Sequence, residues 1–373
     1  MKIVAIIPSL SIGGAERSLV KLVQVIFPMT SGIDIFCLTS GHPDVLKELP
    51  VGVNVRFFNA KSSASPLTFL RIRRELRRIG PDIVLGWSLY ANFLAVVVAR
   101  SLNIHNVVIS ERVFVPSAFD EERDASIRRW LVLSLIRWLY PKAATVTANS
   151  SSCIRFLRKF APGAAKYRLL PNIIDIAHVT RQGEMSLEKP LPLTSGPRIL
   201  AVGRLDRQKG FDLLIQALAL VRRSHDWSIV IVGDGPERDA LRLMAKSLGV
   251  SGYIHWVGAN SSPFPFYRWS QIVVAPSRFE GFPNVMMEAM AIGRAVVCTD
   301  CKTGPRELSR GGKFARLVKG ENPHALATAI IEVGESAQVF TRLGAAARAH
   351  VSENYDTASG RSTYAEVFGL LQT

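Results

Sequence analysis

The 373-residue sequence contains no apolar run approaching the ~20 residues that a membrane-crossing helix needs; its longest, such as Phe93–Ala99, fall far short. Cysteine is scarce. Of the four, Cys37 and Cys153 are solitary, and Cys298 and Cys301 form one C-x-x-C with no second pair to complete a zinc site. A thioredoxin-like redox site would set that motif at a helix start, whereas here it follows a strand pattern, Ala295–Cys298, and runs into a polar loop. Reduced, cytosolic thiols are the expectation. Acids are in deficit, 30 against 46 lysines and arginines, for a net charge of +16. The opening Met1–Pro8 is too short for a signal peptide, lacks a small-residue cleavage site, and reads as a strand. Collagen, coiled coil, disulfide scaffold and membrane-spanning protein are all excluded. What remains, 48 % apolar and 20 % charged, is the profile of a folded chain long enough for two or three domains.

Apolar β-branched runs alternate with helical patterns, which is how a parallel sheet covered by helices on both faces is written. Strands are predicted at Ile3–Ile7, Asp34–Leu38, Val53–Phe58, Ile83–Leu85, Val107–Ser110, Ala144–Ala148 and Arg168–Leu170. Residues 176–197 lapse into Arg, Gln, Gly, Glu, Lys, Pro and Ser, the composition of a linker. The alternation restarts with strands at Arg198–Val202, Ser228–Val232, Ile254–Val257, Ile272–Ala275 and Ala295–Cys298. The expected class is α/β, with two Rossmann-like domains at 1–175 and 198–352 joined by the linker. Residues 353–373 are expected to form a C-terminal helix returning to the N-terminal domain. Open α/β sheets bind ligands outside the carboxyl ends of their strands, so the loops there carry the information.

Four such loops stand out. In Pro8–Arg17, Gly13 and Gly14 precede a helix, allow close backbone approach and make a ready anion site at its N-terminus; an ordinary tight turn explains them equally well. In Val202–Gly210, Arg204 and Lys209 follow a strand in a glycine-bounded loop, where a planar fork and a point charge can bracket a diphosphate. Val232–Arg238 superficially matches the dinucleotide fingerprint G-x-G-x-x-G but has Arg238 at the third glycine, so a structural turn explains it as well. The fourth, Pro276–Gly293, carries Glu280 in the loop and Glu288 about one turn into the following helix, with Pro283 resetting the backbone between them. Amides at that helix start suit a phosphate, and two carboxylates suit sugar hydroxyls.

Together the loops resemble the retaining glycosyltransferase family 4, nucleotide-sugar enzymes of GT-B fold. The resemblance spans nearly the whole chain: Gly13-Gly-Ala-Glu-Arg17, Val202-Gly-Arg-x(4)-Lys-Gly-Phe211, Val232-Gly-Asp-Gly-Pro-Glu237 and the E-x7-E element from Glu280 to Glu288. It implies two domains facing each other across a donor/acceptor cleft. By the family pattern, Arg204 and Lys209 would hold the donor diphosphate and stabilise it as it leaves. Glu280 would bind hydroxyls of the transferred sugar and Glu288 the ribose. Backbone around Gly281, Phe282, Pro283, Asn284 and Val285 would touch sugar and phosphate, with Gly14 closing from the other domain. Arg204, Lys209 and Glu280 are accordingly the catalytic candidates. No Asp-x-Asp occurs, so no cofactor and no metal are expected. The resemblance further implies transfer with retention from a nucleotide diphosphate sugar, UDP-linked in the first instance. A hexose or N-acetylhexosamine would pass to a glycan or polyprenyl-diphosphate acceptor in the cytoplasm, at the inner face of the membrane.

One departure is evident. Many relatives carry a histidine in the N-terminal domain near the reacting sugar, but the loops after the fourth and fifth strands read Gly86–Tyr90 and Ser110–Phe114. Glu111 or Arg112 is the candidate replacement on the acceptor side. Ser110-Glu-Arg112 and Thr303–Glu307 also resemble the branch that builds bacterial surface polysaccharides and lipid-linked oligosaccharides.

Charge is uneven, net +11 over residues 1–175 and +5 over the remainder. Arg71, Arg73, Arg74, Arg77 and Arg78 crowd one helix; Arg128, Arg129 and Arg137 alternate with Trp130 and Trp138 on another. Two readings stand open: solvated helix faces with the tryptophans in the core, or docking on an anionic membrane at ~1 kcal/mol per basic residue. Nucleic-acid binding is disfavoured, since no such motif occurs and aromatics do not interleave with the basic runs as stacking platforms would. A nicotinamide oxidoreductase fails at Arg238. A phosphorylase of similar fold would need a pyridoxal lysine and a longer chain. A non-catalytic or nucleic-acid-binding basic Rossmann-like protein is the alternative left.

Overall fold

The computed structural model describes all residues except 12, 61–64, 114–124, 164–165, 188, 192–195, 302 and 371–373, and of 125–126 the backbone alone. The chain divides into two compact units, Met1–Ile173 with Thr357–Thr373, and Ile174–Asp356.

The first unit contains strands β1 (Lys2–Ile7), β2 (Gly32–Cys37), β3 (Asn54–Phe57), β4 (Ile83–Trp87), β5 (Val107–Glu111), β6 (Thr145–Ala148) and β7 (Lys166–Leu169). They form one parallel sheet in the order β3-β2-β1-β4-β5-β6-β7. The second unit repeats the design with β8 (Ile199–Val202), β9 (Ile229–Val232), β10 (Ile254–Gly258), β11 (Ile272–Ala275), β12 (Ala295–Thr299) and β13 (Arg316–Val318). Its parallel order is β10-β9-β8-β11-β12-β13.

The central strands read as unbroken apolar runs because both of their faces are covered. Along β1, Val4 and Ile6 enter one core while Ile3, Ala5 and Ile7 enter the other, the period of two that a pleated strand imposes. In the second unit Ile199 and Ala201 of β8 face one core and Leu200 the other. Edge strands β3 and β7 carry the exposed positions, among them Lys166 and Arg168, and present charge where a neighbour would otherwise pair.

Each sheet reverses its strand order once, between β1 and β4 and between β8 and β11. Such a switch point leaves a crevice outside the carboxyl ends of the two strands. In the first unit it is flanked by Pro8–Ser11 and Gly13, and in the second by Gly203–Lys209 and Pro276–Pro283.

Two boundaries differ from the sequence expectation. Residues Ile176–Gly183, read as linker, form a helix whose Asp175 side chain accepts from the His178 N–H at 2.8 Å as its N-terminal cap. Polar composition there reflects one solvated face, while Val179 is buried. Part of that linker, 188 and 192–195, lies outside the described residues. At the other end, the helix Ala337–Tyr355 stays with the second unit, and Thr357–Phe368 packs on the helix Gly14–Ile26 of the first. The fully buried Tyr364 donates to the Pro171 carbonyl at 2.6 Å, fixing that last helix in place. No helix among the described residues is long and apolar enough to cross a membrane.

Candidate active site

The site in the second unit is built from two loops at the β8/β11 switch point. After β8, Asp206 caps the short 3-10 turn Arg207–Lys209, its carboxylate accepting from the Lys209 N–H at 3.1 Å. Gly210 then turns the chain into the helix Phe211–Val221 with φ +66°, a left-handed conformation, and a Cβ there would lie 2.2 Å from the Pro276 carbonyl oxygen. The two loops therefore touch backbone to backbone, and glycine is what allows it. The Lys209 side chain crosses the gap, its Nζ donating to Glu280 Oε1 at 2.7 Å.

Glu280 is held from three directions. Its Oε1 also accepts from the Ser277 hydroxyl at 2.7 Å, and its backbone carbonyl accepts from Thr303 Oγ1. Both side-chain bonds converge on Oε1; Oε2 accepts none among the described residues. The residue is 8 % exposed, so its charge depends on the ammonium beside it rather than on water. Lys209, Ser277, Glu280, Pro283, Val285 and Met286 line a small pocket at this point.

Beneath the pair lies a clamp joining the two loops. Arg278 makes a two-pronged bond to Asp212, Nη1 to Oδ1 and Nη2 to Oδ2 at 2.7 Å each, and its Nε reaches Glu321 at 2.6 Å. Nη1 also donates to the Arg207 carbonyl at 2.9 Å, the Arg278 N–H to the Gln208 carbonyl at 2.8 Å, and Gln208 Nε2 to the Phe279 carbonyl at 3.0 Å. Burial alone would raise the Asp212 carboxyl, but the hydrogen bonds and charge of Arg278 outweigh it and hold it below its usual value.

The other candidates are placed as follows. Arg204 is mostly exposed, with Nη2 2.5 Å from Asp206 Oδ2, so it is tethered at the rim while its guanidinium faces outward. Glu288 sits in the helix Asn284–Ala291 and accepts from the Tyr267 hydroxyl at 2.9 Å. Pro283 at that helix's N-cap supplies no side-chain cap, and Phe282 is buried behind it against Tyr355. The Val232–Arg238 turn backs the Arg204 loop: Leu205 N–H donates to the Asp234 carbonyl at 2.9 Å, and Glu237 N–H to the Leu205 carbonyl at 3.0 Å. A Cβ on Gly233 would lie 1.8 Å from the Gly203 oxygen, so glycine is what lets this turn pack against the Arg204 loop.

In the first unit, Gly13 is the N-cap and Gly14 the first residue of the helix Gly14–Ile26. Glu16 folds back over this end; it accepts from the Ser9 and Ser11 hydroxyls at 3.2 Å each, and a Cβ on Gly13 would lie 2.3 Å from its Oε2. Glu111 and Arg112, candidates for the acceptor side, are instead both buried, and their side chains are engaged inside the unit. Glu111 Oε1 accepts from Tyr140 and, at 2.8 Å, from Asn92; burial pushes its carboxyl up to about 7. Arg112 stacks on Trp87 at 4.4 Å and donates to the Leu170 carbonyl at 3.1 Å and to Asn172, and burial brings its guanidinium down to about 10. Their geometry is that of a structural strut between the ends of β4, β5 and β7. Sequence reasoning passed over Ser277, Asp206, Asp212 and Arg278. The visible trace was Thr303-Gly-Pro-Arg-Glu307, whose threonine turns out to hold Glu280.

Comparison with known proteins agrees with this layout. The model for "Glycosyltransferase Family 4" matches residues 12–178, and that for "Glycosyl transferases group 1" matches 196–336. The N-acetylgalactosamine-N,N'-diacetylbacillosaminyl-diphospho-undecaprenol 4-alpha-N-acetylgalactosaminyltransferase of Campylobacter jejuni is 30 % identical over 328 residues, 85 % of this chain and 86 % of that one. The chain belongs to glycosyltransferase family 4. Another relative of this family 4 glycosyltransferase is the lipopolysaccharide core biosynthesis glycosyltransferase LpsD of Rhizobium meliloti, 23 % identical over 95 % of both chains. Its fold is GT-B, matching Anabaena HepE solved with UDP and glucose at a TM-score of 0.81 and 20 % identity, each chain covered in full. It also matches the lipopolysaccharide outer core galactosyltransferase WaaB at 0.71 and 19 %, over 98 % of this chain and 99 % of that one.

Proposed function

We propose that this glycosyltransferase moves a hexose or N-acetylhexosamine from a UDP-sugar, with retention and without a metal, to a glycan or polyprenyl-diphosphate-linked acceptor in surface-polysaccharide synthesis. The observation that carries the reading is the Lys209–Glu280 pair at the carboxyl ends of β8 and β11. It sets one ammonium for a leaving diphosphate beside one carboxylate for sugar hydroxyls. The setting we propose is the cytoplasmic side of a membrane, in line with four buried free thiols and with a relative named for an undecaprenol-linked substrate.

Roles follow from the geometry. A sugar hydroxyl donates to Glu280 Oε2, the oxygen that Lys209 and Ser277 leave over. The Lys209 ammonium, held by Glu280, and the exposed Arg204 guanidinium receive the negative charge that grows on the diphosphate as the C1–O bond breaks. At the start of the helix Asn284–Ala291, the backbone from Gly281 and Phe282 through Pro283 to Val285 lies against the sugar and phosphate. Glu288 accepts from the ribose. The acceptor oxygen bonds to C1 on the face the diphosphate leaves, and its proton passes to a diphosphate oxygen, so no protein base is required.

The test is a transfer assay with UDP-glucose, UDP-galactose and their N-acetyl forms, with and without EDTA, on a lipid-diphosphate disaccharide acceptor. The anomeric configuration of the product would be read by proton NMR. Transfer with an α-linked product, unaffected by EDTA, is expected. Inversion at C1, or activity abolished by EDTA and restored by a divalent cation, contradicts the proposal.

A further inference from the structure

The helix Ala125–Leu139 turns an apolar face away from its own core. Val132, Ile136 and Leu139 are buried on its inner side, yet Ile127, Leu131, Leu135 and Trp138 recur at i, i+4, i+8 and i+11 along a second, exposed stripe roughly 110° around the helix. Trp130 lies beside them. The two tryptophans are 66 % and 62 % exposed and Ile127 is 77 % exposed, so of the two readings left open by the sequence, the one with tryptophans in the core is wrong. A contiguous patch of this kind on a folded chain marks an interaction surface.

Its chemistry says what it meets. At 100° per residue, Arg128 and Arg137 fall on either edge of the apolar stripe. Arg128 is oriented by a 2.9 Å bond to the Tyr90 hydroxyl, and the Lys142 ammonium lies 3.2 Å above the Trp138 ring. Two helices over, beyond Leu89–Arg100, the helix Pro66–Ile79 exposes Arg71, Arg74, Arg77 and Arg78 with Leu67 and Leu70. Tryptophans and aliphatics in the middle, flanked by cations, match a headgroup layer over acyl chains, where an indole finds both an apolar and a wet environment.

We propose that this face of the first unit docks on an anionic lipid bilayer, with Trp130 and Trp138 entering the interface and the flanking arginines meeting headgroup phosphates. The inference stands on unit 1 alone. It deepens the proposed function in one respect, by holding the enzyme at the layer in which a polyprenyl-linked acceptor resides.

The test is co-sedimentation of the full chain with phosphatidylcholine vesicles, with and without phosphatidylglycerol, with no sugar donor present. Binding should require phosphatidylglycerol, weaken with salt, and blue-shift the tryptophan emission. W130S/W138S should bind at least about tenfold more weakly, and R137E by roughly fivefold, with melting temperature and UDP binding as in the parent. No binding to phosphatidylglycerol vesicles overturns the proposal, as does equal binding of the tryptophan variant. A dimer in sedimentation that the double variant dissolves, without vesicle binding, reassigns the face to a second copy and overturns it too. Failure of sugar transfer with vesicle binding intact would strike the proposed reaction instead.

Discussion

At the residue scale, one carboxylate is shared between the protein and the proposed substrate. Glu280 spends Oε1 on Lys209 and Ser277 and keeps Oε2, so removing the lysine costs both a cation for the diphosphate and the positioning of the glutamate. Lys209→Ala should lower kcat/KM by about a hundredfold or more, of order 3 kcal/mol, and Arg204→Ala by a similar factor. Because Arg204 is exposed and Lys209 half-buried, only the lysine variant should also melt lower. Glu280→Ala should abolish transfer while circular dichroism reports an intact fold; full activity in any of these variants removes that residue from the site. Glu111 makes a separate prediction, because its folded-state value of about 7 lies above the ordinary 4.5. A raised value means the native state holds the proton more tightly, so stability is greatest at low pH and falls as pH rises from about 4.5 to about 7. Glu111→Gln keeps an oxygen for Tyr140 and Asn92 without the charge. Urea unfolding should therefore show it gaining on the parent, by of order 3 kcal/mol, between about pH 5 and about pH 8. An unchanged difference would mean that the carboxyl is not desolvated.

At the scale of elements, the site is two loops riveted together by Arg278. Arg278→Ala leaves the Asp212 carboxylate without its fork and should cost of order 3 kcal/mol of stability, seen as a lower urea midpoint. Transfer should drop with it, because Lys209 and Glu280 lose their common support; Arg278→Lys should recover part of the stability and little of the activity, since one ammonium cannot span both oxygens. An Arg278→Ala enzyme with parental kcat would show that the loops hold register without the clamp. Much of this architecture was legible in the sequence. Unbroken apolar runs rich in isoleucine and valine marked β1, β4, β8 and β11, and Arg204, Lys209, Glu280 and Glu288 sit in the loops and helix that the motifs marked. The clamp was not legible, because Asp212 and Arg278 are 66 positions apart and each taken alone reads as a surface charge. The surroundings of Glu111 and Arg112 were hidden for the converse reason: spacing shows that charges follow a strand, and only packing shows them buried against Tyr140 and Trp87. The helix Ile176–Gly183 was hidden because a short amphipathic helix with one solvated face shares its composition with a linker.

At the scale of the whole molecule, the same doubly wound plan occurs twice with unlike surfaces. The first unit carries the arginine-rich helices and the outward tryptophans, and the second carries the paired loops at its switch point. With donor chemistry proposed for the second unit and surface docking for the first, a substitution confined to one should leave the other's binding unchanged. If the Lys209–Glu280 pair is a nucleotide diphosphate site, calorimetric titration of the full chain with UDP, GDP and ADP in EDTA will show it. The parent protein should bind UDP, and Lys209→Ala should bind it at least about a hundredfold more weakly, a difference of about 2.7 kcal/mol. Equal affinity of parent and Lys209→Ala, or no binding of any of the three nucleotides, would contradict it.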